Sequence, residues 1–161
     1  MATKPRKTWR EKLADRKDLP KVVTIPLAGR KRWGGATLAI PAPREVDALM
    51  RTVPAGRVTT INELRTAIAK KHAAAAGCPI TTGIFSWMAA HAAEEALAAG
   101  EKDPTPYWRT LKKDGELNPK YPGGVAALER KLASEGHSFV RKGARVLVRN
   151  LDKVLFSPAT K

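Results

Sequence analysis

One cysteine, Cys78, in 161 residues leaves no partner for an internal disulfide and no thiolate set for a multi-cysteine zinc site. The three histidines, His72, His91 and His137, are scattered without ligand spacing. Neither a metal nor a cofactor is therefore expected. No stretch approaches the roughly 20 apolar residues of a membrane span, and no apolar run follows the basic start as it would in a secretory signal. An intracellular, cytoplasmic protein with no membrane partner is the expectation, nucleoid-associated if the source is prokaryotic. Internal repeats are absent, and the only compositional bias is toward alanine. Acidic residues are also scarce. Fifteen Asp and Glu face 30 Lys and Arg, a net charge of +15. Such an excess says little about fold but favours a polyanionic partner, because each neutralised phosphate releases counterions. Charge alone would also suit a ribosomal or membrane-surface binder; charge and pattern together favour nucleic acid.

The charge is concentrated. Residues 1–34 hold eleven Lys and Arg, from Lys4 to Arg32, against Glu11, Asp15 and Asp18, or 11 − 3 = +8. Trp9 and Trp33 lie among them. Basic residues interleaved with aromatics can track a phosphate backbone and stack on bases, with Arg30, Lys31 and Arg32 the candidate contacts. A solvated arm whose tryptophans dock on the core fits the pattern equally. The division expected is a basic N-terminal extension over 1–40 and a single domain over 41–161.

Within that domain the pattern is mainly helical. Residues 43–52 predict a helix with Pro43 in its first turn, Glu45 complementing its dipole and Val46, Leu49 and Met50 on one face. Val53-Pro-Ala-Gly56 is a turn, and Arg57–Thr59 is β-prone. Thr60-Ile-Asn-Glu63 has the form of a capping box ahead of a helix with Leu64, Ala67 and Ile68 inside, ending in Ala73–Gly77. After Cys78-Pro79, a cap at Thr81 or Thr82 predicts a helix from about Gly83 to Ala99, with Phe85, Met88, Ala92 and Ala96 inward. Residues 100–122 are loop-rich, with a short strand expected over Tyr107–Leu111 and a turn at Asp114-Gly115. Gly123-Gly124 opens a helix with Val125, Leu128 and Leu132 on one face. Ser138–Val140 and Arg145–Val148 predict a basic hairpin about Lys142-Gly143, and Asn150–Phe156 a short helix or loop. Two helices joined by a short turn and followed by a hairpin fit a winged helix-turn-helix, although a plain helical hairpin has the same pattern.

Residues 53–136 resemble the DNA-binding domain of the O6-alkylguanine-DNA alkyltransferases. The entry Val53-Pro-Ala-Gly-Arg-Val-Thr-Thr60 is similar to theirs. Pro106-Tyr-Trp-Arg109 stands where that family has Pro-Cys-His-Arg, and Asp114-Gly-Glu-Leu117, Tyr121-Pro-Gly-Gly124 and Glu135-Gly136 follow in the family's order. The resemblance implies a mainly α fold with a small β content: a winged helix-turn-helix behind a basic extension. It implies a second helix laid in the minor groove of double-stranded DNA and a flipped base in a pocket. Tyr107, Trp108, Arg109, Tyr121 and Glu135 are then the pocket candidates. Thr59, Thr60, Thr82, Gly83, Ser86, Trp87, Ala89, Ala90, Lys112 and Lys113 are the candidate DNA contacts, the alanines allowing close approach.

The departures concern the chemistry. The family's thiolate accepts the alkyl group, activated through a histidine and a glutamate. Tyr107 replaces that cysteine and Trp108 the histidine, and only Glu135 matches. A phenol is a poor nucleophile at neutral pH, and an indole cannot take its proton. Ile61 stands in place of the family's phosphate-rotating tyrosine. The helix arginine that fills the gap of a flipped base is missing, leaving Ile84, Phe85 or Trp87 as an apolar wedge. The nearest relatives in logic are alkyltransferase-like proteins, which bind O6-alkylguanine and pass it to excision repair. Three readings stand at this point. One is a monomeric, non-catalytic recogniser of alkylated or distorted DNA with excision-repair proteins as partners. The second is an enzyme using Cys78, placed at a helix start. The third is a winged-helix regulator or architectural nucleic-acid binder.

Overall fold

The structure, a computed structural model, describes residues 6–158, so Lys4 lies outside the described residues. The fold is mainly α with three small sheets. The N-terminal part contains α1 (Trp9–Ala14), β1 (Lys21–Thr24), α2 (Arg30–Trp33) and β2 (Thr37–Ile40). Thr8 and Glu11 close a reciprocal capping box on α1, which lets so short a helix hold its first turn. Next come α3 (Pro43–Arg51), β3 (Thr59–Thr60), α4 (Ile61–Lys71), β4 (Ala76–Gly77) and α5 (Pro79–Ala98). The chain closes with β5 (Thr110–Leu111), α6 (Gly124–Ser134), β6 (Phe139–Lys142), β7 (Arg145–Val148) and α7 (Leu151–Val154).

Residues 21–40 are not a loose arm. β1 pairs antiparallel with β2, and β2 pairs parallel with β4, Ala39 opposite Gly77. Ala39 is fully buried in the main core, so the expected boundary at residue 40 falls directly after a strand that the domain itself uses. A smaller cluster of Ile25, Leu38 and Cys78, flanked by Trp33, seals this sheet against the start of α5.

The main core collects Val46 and Met50 of α3, Leu64 and Ile68 of α4, Ala89, Ala90 and Ala93 of α5, and Leu128 and Leu132 of α6 around Tyr107 and Tyr121. Pro43 opens α3, and Glu45 accepts the Ala42 N–H at 2.9 Å. Thr60 caps α4 by accepting the Glu63 N–H at 3.3 Å. Glu63 does not return the bond; its carboxylate accepts from Ser157 at 2.8 Å, so half of the expected box is spent on the C-terminal segment. That segment is tied down further by Leu155, bridged to Val58 beside β3.

Three sequence expectations are corrected. α4 ends at Lys71, and Ala73 has a positive φ of 51°, so the alanines after it are not helical. Their propensity is overridden by β4 pairing with β2, and by Lys71 and His72 both reaching Glu45 of α3 at 2.7 Å. α5 begins at Pro79, not Gly83, because proline at the first helical position is preset for the helix, and Cys78 is its N-cap. Tyr107–Arg109 forms a 3-10 turn, and the strand is limited to Thr110–Leu111, parallel to β3.

Gly77 fixes the approach of β4 to α4. A Cβ there would lie 2.4 Å from the Arg65 carbonyl oxygen, a backbone atom of α4, and the Arg65 guanidinium donates to the Gly77 carbonyl at 2.8 Å. Gly77→Ala is expected to lower stability by about 1–3 kcal/mol, the usual cost of overpacking, as read by urea or thermal melts. A melt unchanged from the parent would show that β4 and α4 can move apart to admit the methyl group.

Candidate nucleic-acid interface

α5 carries two stripes of opposite character. Thr82, Ser86, Ala89, Ala90 and Ala93 face the interior and are buried. Of the expected inner stripe, Ala92 and Ala96 are buried, while Phe85 and Met88 are only partly so, which corrects its first half. It also removes Thr82, Ser86, Ala89 and Ala90 from any direct contact through their side chains. The reason is packing: small residues allow α5 to sit against α3 and the bulky Tyr107 turn. The large aliphatic side chains of its first half point outward. Ile80 is 59% exposed and Ile84 47%.

Ile80, Gly83, Ile84, Trp87 and His91 form one wall of an open groove of about 690 Å³, and Asn118 and Lys120 form the other. Positions 80, 84, 87 and 91 follow helical spacing, so this stripe was present in the sequence. It sets Ile80 and Ile84 in solvent and leaves Trp87 half-buried, so hydrophobic periodicity alone does not separate it from an inner face. Asn118 turns its Oδ1 inward to accept the Lys120 N–H at 3.0 Å. An exposed apolar patch rimmed by polar groups marks an interaction surface.

Beneath the groove lies the segment expected to hold a base pocket. Tyr107 is 1% exposed and Tyr121 3%, their rings edge to face at 5.9 Å. The Tyr107 hydroxyl donates to Glu94, and burial together with that acceptor pushes its phenol well above the ordinary range. Tyr121 donates to Ser86 at 3.1 Å, and Ser86 donates to the Gly83 carbonyl at 2.8 Å. Burial raises the Tyr121 phenol to about 12, although the Ser86 contact pulls the other way. The space between these tyrosines is filled by their own rings, so neither lines an open pocket.

Trp108, Arg109 and Glu135 come together as a strut. Arg109 gives Glu135 a bidentate pair, 2.9 Å from Nε and 2.6 Å from Nη2, and its Nη1 donates to the Val53 carbonyl at 2.8 Å. The Trp108 indole N–H donates to the same carboxylate at 3.2 Å, while Lys131 sits 4.8 Å from the indole ring. Burial pushes the Glu135 carboxyl up, and the bonds from Arg109 and Trp108 more than offset this, leaving it below the usual glutamate range.

The remaining candidates are dispersed. Thr59 and Thr60 are buried in β3, Thr60 serving as a helix cap, which corrects their expected role as surface contacts. Lys112 and Lys113 are exposed, Lys112 lying 3.7 Å from Glu116. Arg30 donates to the Ile25 carbonyl at 3.1 Å, and Lys31 and Arg32 are exposed on α2, beside the sheet that leads into α5. Cys78 is 6% exposed and lies in the apolar cluster with Ile25 and Leu38.

Comparison with known proteins places the fold. No family model matches the chain, and no curated protein does. Among solved structures, S. pombe Atl1 in complex with damaged DNA containing O6-carboxymethylguanine is 16% identical at a TM-score of 0.47, over 72% of this chain and 94% of that one. An S. pombe ATL protein in complex with DNA matches over the same shares at 16% identity and a TM-score of 0.52. The chain thus has a fold similar to that of the S. pombe ATL protein over most of its length.

Proposed function

We propose that the chain is a winged helix-turn-helix protein that binds double-stranded DNA and recognises alkylated or distorted bases without transferring the alkyl group. α4 and α5 are the helix pair, the β6–β7 hairpin is the wing, and the outward stripe of α5 enters the groove. The observation that carries this is the pair of exposed isoleucines beside Trp87 on α5, in a protein of net charge +15. The order of motifs along residues 53–136 and the fold shared with a protein solved on DNA support it. A displaced base is received between α5 and residues 118–120, where the groove of about 690 Å³ is open, and not between the occupied tyrosines. Ile84 is the wedge that holds the stack apart where the family uses an arginine.

Non-transfer follows from the residues at the motif. The Tyr107 hydroxyl is buried and committed to Glu94, and the Trp108 indole is a donor, unable to take a proton. In this reading the protein acts in the cytoplasm as a monomer and leaves removal of the lesion to excision-repair partners.

The test is fluorescence anisotropy with a duplex containing O6-methylguanine and its unmodified match, across a salt series. The expected result is about tenfold tighter binding to the lesion, within the range that one altered base pair contributes. Equal affinity at every salt concentration removes lesion recognition and leaves a general winged-helix binder. A mass gain after incubation with methylated DNA, abolished by Cys78→Ser, would replace the reading by an enzyme.

A further inference from the structure

Within the basic N-terminal segment, α1 packs against α5, the helix that walls the groove. Trp9 of α1 stacks on His91 with centroids 4.5 Å apart and planes at 21°, and meets Trp87 edge-on at 4.8 Å. Both partners are groove-wall residues of α5. The opening turn of α1 is held electrostatically as well. The Trp9 and Arg10 N–H groups donate to the Glu95 carboxylate at 3.0 and 3.2 Å. An anion at a helix start is favourable, because those N–H groups have no partner within the helix. The Arg10 side chain then spans Glu95 and Glu101, each at 3.3 Å.

Docking sorts the charges of this segment. Lys7 is neutralised by Asp15 at 2.7 Å, and Arg10 by its two glutamates. Lys12 is left with its ammonium 4.5 Å from the Trp9 ring centroid and no carboxylate among the described residues. Arg16, just beyond the helix, is exposed and also lacks one among the described residues. The cations that anchor α1 are paired, and the cation on the Trp9 side is spare.

We propose that α1 is a docked phosphate clamp: Trp9 extends the wall of the α5 groove, and Lys12, with Arg16 beyond it, holds the DNA backbone flanking the bases that α5 reads. This rests on the DNA-binding reading above and adds a second, fixed contact surface to it. A mobile arm would lose conformational entropy on binding, whereas a helix already seated on Trp87 and His91 has lost it on folding.

The experiment measures duplex affinity of the full chain by anisotropy over a salt series, for the parent, Lys12→Ala, Trp9→Ala and Ile84→Asp, with thermal melts of each. Lys12→Ala is expected to weaken binding about threefold at 0.1 M salt and to lower the slope of log K against log salt by about 0.9, one phosphate's share. Trp9→Ala, which unseats the helix, is expected to weaken binding further. An unchanged slope in Lys12→Ala overturns the clamp. Tighter binding by Trp9→Ala also overturns it and makes α1 a cover that DNA must displace. The two levels separate cleanly. If the parent does not bind duplex, the functional reading fails; if the parent binds and only Ile84→Asp is impaired, the clamp alone fails.

Discussion

Ile84→Asp is expected to weaken duplex binding about 50-fold, equivalent to about 2.3 kcal/mol, while leaving the fold intact. The stability side follows from exposure. Ile84 is 47% exposed on α5 and is absent from the buried core, so its replacement falls among surface changes that stay within about 0.5 kcal/mol. The binding side has two additive parts. Ile84 has about half of its surface left to bury, so covering it against bases is worth about 1–1.5 kcal/mol, and that is lost. The new carboxylate also faces a phosphate backbone, a repulsion of about 1 kcal/mol at contact distance in water. Leu97→Asp is the matched control. Leu97 is 39% exposed on the same helix but outside the groove wall, so it tests added charge without the wedge. Anisotropy on one duplex at fixed salt decides the matter. Parent-like affinity in Ile84→Asp would mean that DNA meets another face, and the groove would lose its assigned role.

The elements most legible in the sequence were those whose local signals agree with their tertiary surroundings. Pro43 with Glu45, Thr60 ahead of Leu64, and Gly123 ahead of Leu128 each place a helix start within about two residues of the structure. The hairpin about Gly143 is equally clear, because two short β-prone runs flank a glycine, which here has a positive φ of 59°. What misled was α5, where apolar residues occupy every face. Alanine on one stripe and isoleucine on the other reverse the usual rule that large side chains point inward. Only the packing partner, a buried tyrosine turn requiring close approach, decides between them. The same mechanism moved Ser86, Ala89 and Ala90 from the expected surface to the interior. For the basic N-terminal segment the sequence left two readings level, and the one with its tryptophans docked on the core is the one the structure shows for Trp9 and Trp33. Nothing local could choose between them, because the residues that seat Trp9, Glu95 and His91, lie more than 80 positions away.

Arg109→Ala is expected to cost about 3–5 kcal/mol, a large share of the roughly 5–15 kcal/mol that holds a domain together. The side chains of Arg109 and Glu135 are only 15% and 14% exposed, so removing the guanidinium strands a carboxylate that water cannot easily reach. The Val53 carbonyl loses its donor at the same time. Glu135→Gln is expected to cost less, because it keeps the shape and one acceptor. Its use is in the pH dependence. Burial raises the Glu135 carboxyl, the Arg109 and Trp108 bonds lower it more, and the net position is below the ordinary value of 4.5. A group with a depressed folded-state pKa stabilises fully above its unfolded value and loses that stabilisation as pH falls through the folded one. Urea melts at pH 7 and at about pH 3.5 should therefore show Glu135→Gln losing less stability than the parent on acidification. Glu45 is also depressed, its burial outweighed by bonds from Lys71, the Ala42 N–H and His72, so some acid sensitivity persists in the variant. An identical acid loss in both proteins would mean that Glu135 gains nothing from its charge. The expected difference bears on chemistry as well as stability. A carboxylate that already accepts two bonds from Arg109 and one from Trp108 is committed to holding the Tyr107–Arg109 turn beneath α5. At the position where the resembled family keeps its relay carboxylate, this chain has a structural strut.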